Sequence, residues 1–250
     1  MGQIGSGKKT LAKWIASQLH TATYILPDVK VETVRQMIDY VYRSTDSVVV
    51  VIPDADGMNV AAKNALLKVI EEPPKNVHFI ITVESEANML DTILSRSAVY
   101  RMDLYTRDEI LRYYRALEED GDADLVSRLC DTPGEVKLLL AQSGGVKSFN
   151  DYVLKVVDNI ALVSGSNSFK IAEKIALKDE VDKYDLHLFW KAFISVCLDR
   201  LAQSPFQYAY GIQTTAKYLQ DIKNPAINKQ MSFDNWLLEI REDWMEYAES

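Results

Sequence analysis

Glycine and lysine residues at the start of the chain have the spacing of a phosphate-binding loop. Residues 2–10 read GQIGSGKKT, and the pattern requires Gly, four residues, Gly, Lys and then Ser or Thr. Gly2, Gly7 and Lys8 match it, and Gly5 adds conformational freedom. In such a loop, backbone N–H groups and the following helix N-terminus hold phosphates, and the lysine contacts the β- and γ-phosphates. These residues are therefore predicted to form a phosphate-binding loop.

The final position of the pattern departs from this chemistry. It needs a hydroxyl that ligates Mg²⁺, and Lys9 cannot do so. Thr10 is one residue late, about 100° further round a helix, so its hydroxyl is expected to point elsewhere, although it stays a candidate of a degenerate site. Lys9 either replaces part of the cation's charge or is solvated, and we favour solvation.

A second departure lies at the end of a buried strand, in SVVVVIPDAD. In a working site, an Asp there holds Mg²⁺ and a neighbouring acid positions the attacking water. Pro53 takes the metal-holding position and Asp54 the water-positioning one. Asp54 or Asp56 reaches a metal only if the strand end bulges; otherwise they cap the next loop or helix. Two missing metal contacts predict a site that binds no metal and no longer hydrolyses nucleotide.

The composition narrows the class of protein. The chain has 250 residues and a net charge of −8, which argues against a surface that coats nucleic acid through overall basicity. Its two cysteines, Cys130 and Cys197, are far apart and form neither a metal-ligand spacing nor a disulfide framework. No apolar run approaches membrane-spanning length. These features predict a cytoplasmic protein.

Strand and helix patterns alternate up to about residue 103, which predicts a parallel α/β sheet. The last predicted strand is AVYRMDL, residues 98–104. Only helical patterns follow. The sequence thus predicts three domains: an α/β core at 1–104, a small domain of three helices at 105–145 and a larger helical domain at 146–250.

The start of the chain raises a structural question, because a phosphate-binding loop normally follows a central strand. Only Met1 precedes Gly2. We expect either a truncated sequence or a minimal variant, whose sheet would expose two strand edges unless another segment fills the gap.

Two further motifs resemble those of a known family. DADGMNVAAKNALLKVIEEPP, followed by TILSRS, resembles the AAA+ clamp-loader subunits of replication, and among them the bacterial DNA polymerase III delta-prime subunits. Residues 64–68 and 71–74 match that family's helix motif. Residues 95–97, Ser-Arg-Ser, stand where the family has Ser-Arg-Cys. The likeness extends to the C-terminal helices.

The resemblance implies an architecture and a function. The fold would be an AAA+ P-loop NTPase core, N-terminally truncated here, with a three-helix lid and a helical collar that oligomerises. Clamp loaders open a ring-shaped sliding clamp and place it on primed DNA, so the implied partners are other loader subunits, the clamp and primed DNA, with no membrane. Delta-prime subunits typically do not hydrolyse ATP. They donate an arginine to a neighbour's ATP, which implies that role for Arg96, with Ser95 capping or positioning the turn.

The resemblance also assigns two sensor positions. Thr82, at the end of the FIIT strand, takes the place of the first sensor, and Lys137, in PGEVK, takes that of the second. The alternatives are a strand-end hydroxyl and an exposed helix lysine. No cofactor is firmly predicted; ATP or ADP without Mg²⁺ is the alternative. Two other functions stay open: an active ATPase subunit of the loader that uses Thr10 with Asp54 or Asp56, and a non-catalytic interaction protein that retains the fold.

Overall fold

A computed structural model of the chain describes residues 1–119, 121–142, 144–160, 170, 184–222 and 227–248. The chain divides into two compact units, Met1–Tyr105 and Thr106–Ser250. The combination of an α/β unit and an all-α unit agrees with the predicted fold class. The division into three domains at 1–104, 105–145 and 146–250 stays a prediction.

The first unit is built on a parallel sheet whose strand order is β1-β2-β3. Ala22 pairs with Val48, and Val48 pairs with Val77. Its elements are, in chain order, α1 (Lys8–Gln18), β1 (Ala22–Ile25), α2 (Val31–Arg43), β2 (Val48–Ile52), α3 (Val60–Glu71), β3 (Val77–Ile81) and α4 (Asp91–Leu94).

Strand β2 is the centre of this unit, and all five of its residues are buried. Val48, Val50 and Ile52 face a core built mainly from α2 and α3. Val49 and Val51 face the small residues Ala12 and Ala16 of α1. A continuous β-branched run is the pattern of a parallel strand covered on both faces, and the prediction of a buried strand here is confirmed.

The predicted strand at residues 98–104 is wrong. Within residues 1–105, all of which the structure describes, this segment has no regular secondary structure. A strand exists only where a neighbour completes its hydrogen bonds, and the sheet ends at β3. The side chains of Tyr100 and Leu104 are consequently exposed, at 80 % and 69 %.

The second unit is helical. Its described helices are α5 (Arg107–Arg115), α6 (Ala123–Leu129), α7 (Pro133–Leu140), α8 (Gly145–Asn159), α9 (Leu186–Arg200), α10 (Pro205–Asp221) and α11 (Lys229–Ala248). The first three correspond to the three predicted short helices. Among the segments with a helical sequence pattern, SNSFKIAEKIAL (residues 166–177) lies outside the described residues, apart from Lys170.

Side-chain caps explain where several of these helices begin. Thr106 and Glu109 form a capping box at the start of α5. Thr132 caps α7, with Pro133 as its first residue. Asp185 caps α9 through the N–H of Leu188. Such caps satisfy backbone N–H groups that a helix start leaves unpaired.

Aromatic side chains dominate the core of the second unit. Trp236 is fully buried and packs against Phe193 with ring centroids 4.9 Å apart. Its indole N–H donates to Thr215 Oγ1 at 2.9 Å, which satisfies a polar group that would otherwise be costly to bury. Cys130 and Cys197 are buried free thiols, and burial raises the pKa of both to about 12.

A partly buried polar cluster joins α7 to α9. The Glu135 carboxylate lies 3.1 Å from His187 Nε2 and 3.1 Å from Lys191 Nζ. Lys191 also contacts Asp131 at 2.7 Å. Burial by itself raises the pKa of Glu135, but the His187 hydrogen bond and the Lys191 charge outweigh it and lower the pKa to about 2. The ionised carboxylate therefore stabilises the folded unit.

Replacing this carboxylate should change how stability depends on pH. Because folding lowers the pKa of Glu135 from 4.5 to about 2, its contribution is full above pH 4.5 and is lost as pH falls towards 2. We expect Glu135→Gln to reduce the free energy of unfolding at pH 7 by on the order of 2 kcal/mol. Urea unfolding at several pH values measures this.

The matched control is Glu119→Gln, which removes a carboxylate from an exposed position. It should leave the unfolding free energy nearly unchanged. The gap between wild type and Glu135→Gln should narrow as the pH is lowered from 4.5. A gap that stays constant would contradict the assigned role of the ionised carboxylate.

Candidate functional site

The glycine loop has the backbone that the phosphate-loop prediction requires. Gly5 and Gly7 adopt left-handed conformations with φ of 80° and 92°, which residues with a Cβ rarely do. Helix α1 begins directly after Gly7. The Tyr105 hydroxyl donates to the carbonyl of Ser6 at 2.7 Å, so the end of the unit also supports the loop.

Lys8 folds back onto the loop that carries it. Its ammonium donates to the carbonyl oxygens of Gly2 and Gln3, at 2.5 and 2.7 Å. These two bonds close the loop around the lysine. An incoming phosphate would have to compete with these carbonyls for the ammonium.

Lys9 forms an ion pair with the Asp54 carboxylate, and both side chains are more than half exposed. Lys9 is thus both ion-paired and exposed to solvent, and whether it replaces part of a cation's charge stays a prediction. The pair joins the start of α1 to the turn after β2, the two elements that Mg²⁺ bridges in an intact phosphate-loop site. A side-chain cation thus neutralises the carboxylate closest to that position.

The Asp56 carboxylate accepts hydrogen bonds from the loop after β3. It accepts the N–H of Glu84 at 2.7 Å and the side-chain amide of Asn88 at 3.3 Å. It therefore holds the loop that follows β3. Among the described residues, no three His, Cys, Asp or Glu side chains converge in the manner of a metal site.

Thr82 is buried at the end of β3 and acts as a strand-end hydroxyl. Its Oγ1 accepts the backbone N–H of Asp54 at 3.0 Å, and its own N–H donates to Ile52 at 2.9 Å. These bonds fix the turn in which Asp54 has a left-handed φ of 49°. A sensor role for Thr82 stays a prediction.

Thr10 and Lys137 are the remaining predicted binding residues. Thr10 is exposed on α1. Lys137 is an exposed residue of α7 in the second unit. The roles assigned to both stay predictions.

Arg96 lies just beyond α4 and is held by neighbouring groups. One terminal nitrogen donates to the carbonyl of Thr92 at 3.0 Å and to Ser95 Oγ at 3.3 Å. The other contacts the Glu71 carboxylate at 3.2 Å. The Arg96 side chain is still 42 % exposed, so the guanidinium is oriented but accessible.

Sequence reasoning missed the part that Glu71 plays. This residue ends α3 and lies 25 positions before Arg96 in the printed sequence. Both residues belong to the two motifs that carry the family resemblance, and their presence together is the only sequence signal that links them. The contact itself depends on how α3 and α4 pack, which no spacing reveals.

Comparison with known proteins tests the resemblance to clamp-loader subunits. A family model described as DNA polymerase III, delta subunit, matches residues 21–105. The match covers α3 and the Ser95-Arg96-Ser97 segment, the two parts of the chain that carry the resemblance. The resemblance of the chain to AAA+ clamp-loader subunits is confirmed.

Individual relatives agree with this class. The DNA polymerase III subunit gamma of Buchnera aphidicola subsp. Acyrthosiphon pisum is 23 % identical, over 87 % of this chain and 70 % of the relative. The subunit delta' of Yersinia pestis is 38 % identical, over 38 % and 31 %. The chain thus spans about a third of that delta' relative. A solved DNA polymerase III gamma subunit-related protein from Thermotoga maritima is 17 % identical, with a TM-score of 0.44 and coverage of 88 % and 83 %.

No helix within the described part of the chain combines the length and the apolar character needed to cross a bilayer. The cytoplasmic location predicted from the sequence stays a prediction.

Restoring the hydroxyl of the loop alone should not create an ATPase. In Lys9→Thr, Pro53 still occupies the position of the metal-holding carboxylate, so we expect no Mg²⁺-dependent phosphate release above that of Lys8→Ala. A phosphate-release assay with Mg-ATP measures this. The matched comparison is Lys9→Thr combined with Pro53→Asp, which restores both ligand types. Turnover by the single variant would contradict the two-defect interpretation.

Proposed function

We propose that the chain is a clamp-loader subunit of DNA replication that does not hydrolyse ATP itself and donates Arg96 to the nucleotide of a neighbouring ATPase subunit. The observation that carries the proposal is the oriented, half-exposed guanidinium of Arg96. The segment that matches the family model and the similarity to DNA polymerase III gamma and delta' subunits support the clamp-loader context. The proposed partners are other loader subunits, the sliding clamp and primed DNA.

The chain's own loop does not fit Mg²⁺. The hydroxyl position holds Lys9, and the strand-end position holds Pro53. The nearest carboxylate, that of Asp54, already has an ammonium partner in Lys9. A divalent ion would have to displace that ammonium and would find no hydroxyl ligand at position 9. We therefore assign no metal-dependent reaction to this loop.

Phosphate binding without metal is compatible with what the loop retains. The start of α1 has no side-chain cap and no acidic residue in its first turn. Its free N–H groups and positive dipole end favour an anion. Lys8 would exchange two carbonyl partners for phosphate oxygens. Any nucleotide held here would serve structure rather than hydrolysis.

Arg96 retains donors for a phosphate from another subunit. A guanidinium carries five N–H donors in a planar fork. The contacts described above engage three of them, with Thr92, Ser95 and Glu71. The other two have no partner among the described residues. Their planar geometry suits the negative charge that develops on a transferring phosphoryl group.

The second unit is the proposed lid and collar. Helices α5–α7 would form the lid, and α8–α11 the collar through which subunits assemble. Arg128 of α6 makes two bonds to the Asp199 carboxylate of α9, at 3.1 and 2.9 Å. Together with the Glu135 cluster, this pair fastens the proposed lid helices to the collar.

Removal of the Arg96 side chain should slow ATP hydrolysis by the neighbouring subunit without unfolding this chain. An arginine of this kind contributes ~10³–10⁵ in rate in related phosphoryl transfer. We expect Arg96→Ala to reduce clamp-loading turnover at least tenfold in a loader reconstituted with partner ATPase subunits, clamp and primed DNA. ATP turnover and clamp loading are measured together. The matched control is Arg101→Ala, since Arg101 is also an exposed, ion-paired arginine of this unit. Equal effects of the two variants would contradict the assignment.

Loss of the Glu71 partner should have an intermediate effect. An exposed ion pair contributes about 0–1 kcal/mol to stability, so Glu71→Gln should leave the unfolding midpoint almost unchanged. Because Glu71 orients the guanidinium, loading turnover should fall between those of wild type and Arg96→Ala. Glu72→Gln, at the next position, is the control. Wild-type turnover in Glu71→Gln would show that the ion pair has no positioning role.

A further inference from the structure

Helix α1 is held against the sheet by two alanines. Ala12 and Ala16 are buried and pack against Val49 and Val51 of β2. Every other residue from Lys9 to Leu19 is exposed. Because alanine side chains are short, α1 lies close to β2, and its larger side chains face outward. The outer face of α1 is thus open to a partner.

Trp14 lies at the centre of this outer face. At about 100° per residue, it is about 160° round the helix from both Ala12 and Ala16, so its ring points away from the sheet. Trp14 is 58 % exposed, and no aromatic ring among the described residues packs on it. Leu11, one turn before it, is 41 % exposed. Exposed apolar surface centred on a tryptophan is typical of an interaction site.

Positive charge surrounds this tryptophan. Between residues 2 and 27, the sequence has three lysines and neither Asp nor Glu, although the whole chain has a net charge of −8. Lys9 already has a partner in Asp54. Lys13, directly before Trp14, is exposed and forms no ion pair with another described residue. An anionic partner is therefore complementary to this face.

We propose that Trp14 and Lys13 form a contact site for single-stranded DNA, in which a base stacks on the indole ring and a neighbouring phosphate contacts the ammonium. The inference rests on the proposed function, which makes primed DNA a partner, and it assigns a surface of this chain to the unpaired template strand. An aromatic ring accepts any base, because every base has a π-face, and a cation beside it follows the backbone. Such a contact is independent of sequence.

Single-stranded DNA suits these two groups better than other anionic or apolar partners do. In a duplex the bases stack on each other, so the ring of Trp14 cannot reach a base face. An apolar protein surface would cover the ring but leave the Lys13 ammonium without a counter-charge. An anionic bilayer would bury the whole outer face. The polar residues Thr10 and Gln18 lie on that face, each one turn from Trp14.

Intrinsic fluorescence of the full chain tests the proposal directly. Of the four tryptophans, Trp190 and Trp236 are fully buried and Trp244 is 3 % exposed, so Trp14 reports on a ligand at the surface. We expect a short oligothymidylate to quench this fluorescence, and the same strand paired with oligoadenylate to quench it much less. The absence of quenching, or equal quenching by the duplex, would overturn the proposal.

Variants assign the binding to the two side chains. Their affinity is measured by the anisotropy of a fluorescein-labelled oligothymidylate. Trp14→Ala should weaken binding at least about fivefold, as expected for the loss of one stacked base, and Trp14→Phe should retain part of the affinity. The matched control is Phe206→Ala, which removes another exposed aromatic ring, 76 % exposed on α10. Equal affinities of Trp14→Ala and Phe206→Ala would overturn the role of Trp14.

The salt dependence of binding tests the phosphate contact. Each contact with a single strand contributes about 0.7 to the slope of log affinity against log salt concentration. Lys13→Gln should reduce the slope by that amount, whereas Lys75→Gln, at another exposed lysine of the first unit, should leave it unchanged. An unchanged slope in Lys13→Gln would overturn the role of Lys13.

Two comparisons separate this proposal from its alternatives. Binding to phosphatidylglycerol vesicles that depends on Trp14 and is tighter than binding to the oligonucleotide would overturn the choice of DNA. The oligonucleotide titrations contain neither ATP nor a partner subunit, whereas the role of Arg96 is measured by turnover in the reconstituted loader. Failure of the Trp14 site and failure of the proposed function are therefore seen in different experiments.

Discussion

The burial of β2 on both faces is the constraint on which the first unit depends. Its five residues alternate between a core formed with α2 and α3 and a smaller one formed with α1. A parallel strand has little stability unless both faces are covered, so helices must lie on each side of the sheet. This arrangement brings the start of α1 and the turn after β2 to the same end of the sheet. The loop chemistry follows from that proximity.

At this end of the sheet, the charged groups differ in kind and position from those of an intact phosphate-loop site. Lys9 introduces a cation where the phosphate-loop pattern has a hydroxyl, and Asp54 accepts it as a partner. Pro53 has neither a backbone N–H nor a side-chain carboxylate at the position where a working site has the metal-holding Asp. The loop retains its glycines, a lysine and a helix start without a side-chain cap, all of which suit an anion. It lacks the hydroxyl at position 9 and the carboxylate at position 53 that would ligate a divalent ion. In the same unit, Arg96 keeps an accessible guanidinium that Thr92 and Glu71 orient. The chemistry we propose is therefore exerted on a neighbour's nucleotide.

Much of this could be predicted from local pattern. The run VVVVI predicts a buried strand because its β-branched residues favour a strand covered on both faces. Capping residues such as Thr106 and Thr132 mark the starts of helices. The left-handed glycines also follow from the loop motif. What local pattern could not give were contacts between elements. The Lys9–Asp54 and Glu71–Arg96 pairs join residues 45 and 25 positions apart in the sequence. The strand predicted at residues 98–104 failed for the same reason, because strand formation depends on a neighbour that its own sequence does not contain.

The central claim is that this chain acts on another subunit's ATP and has no metal-dependent turnover of its own. ATP hydrolysis measured for the chain alone, for a partner loader ATPase alone and for their mixture on primed DNA with clamp tests it most directly. We expect no ATP turnover by the chain alone, and turnover by the mixture well above that of the partner alone. Turnover by the isolated chain, or a mixture no faster than the partner alone, would contradict it.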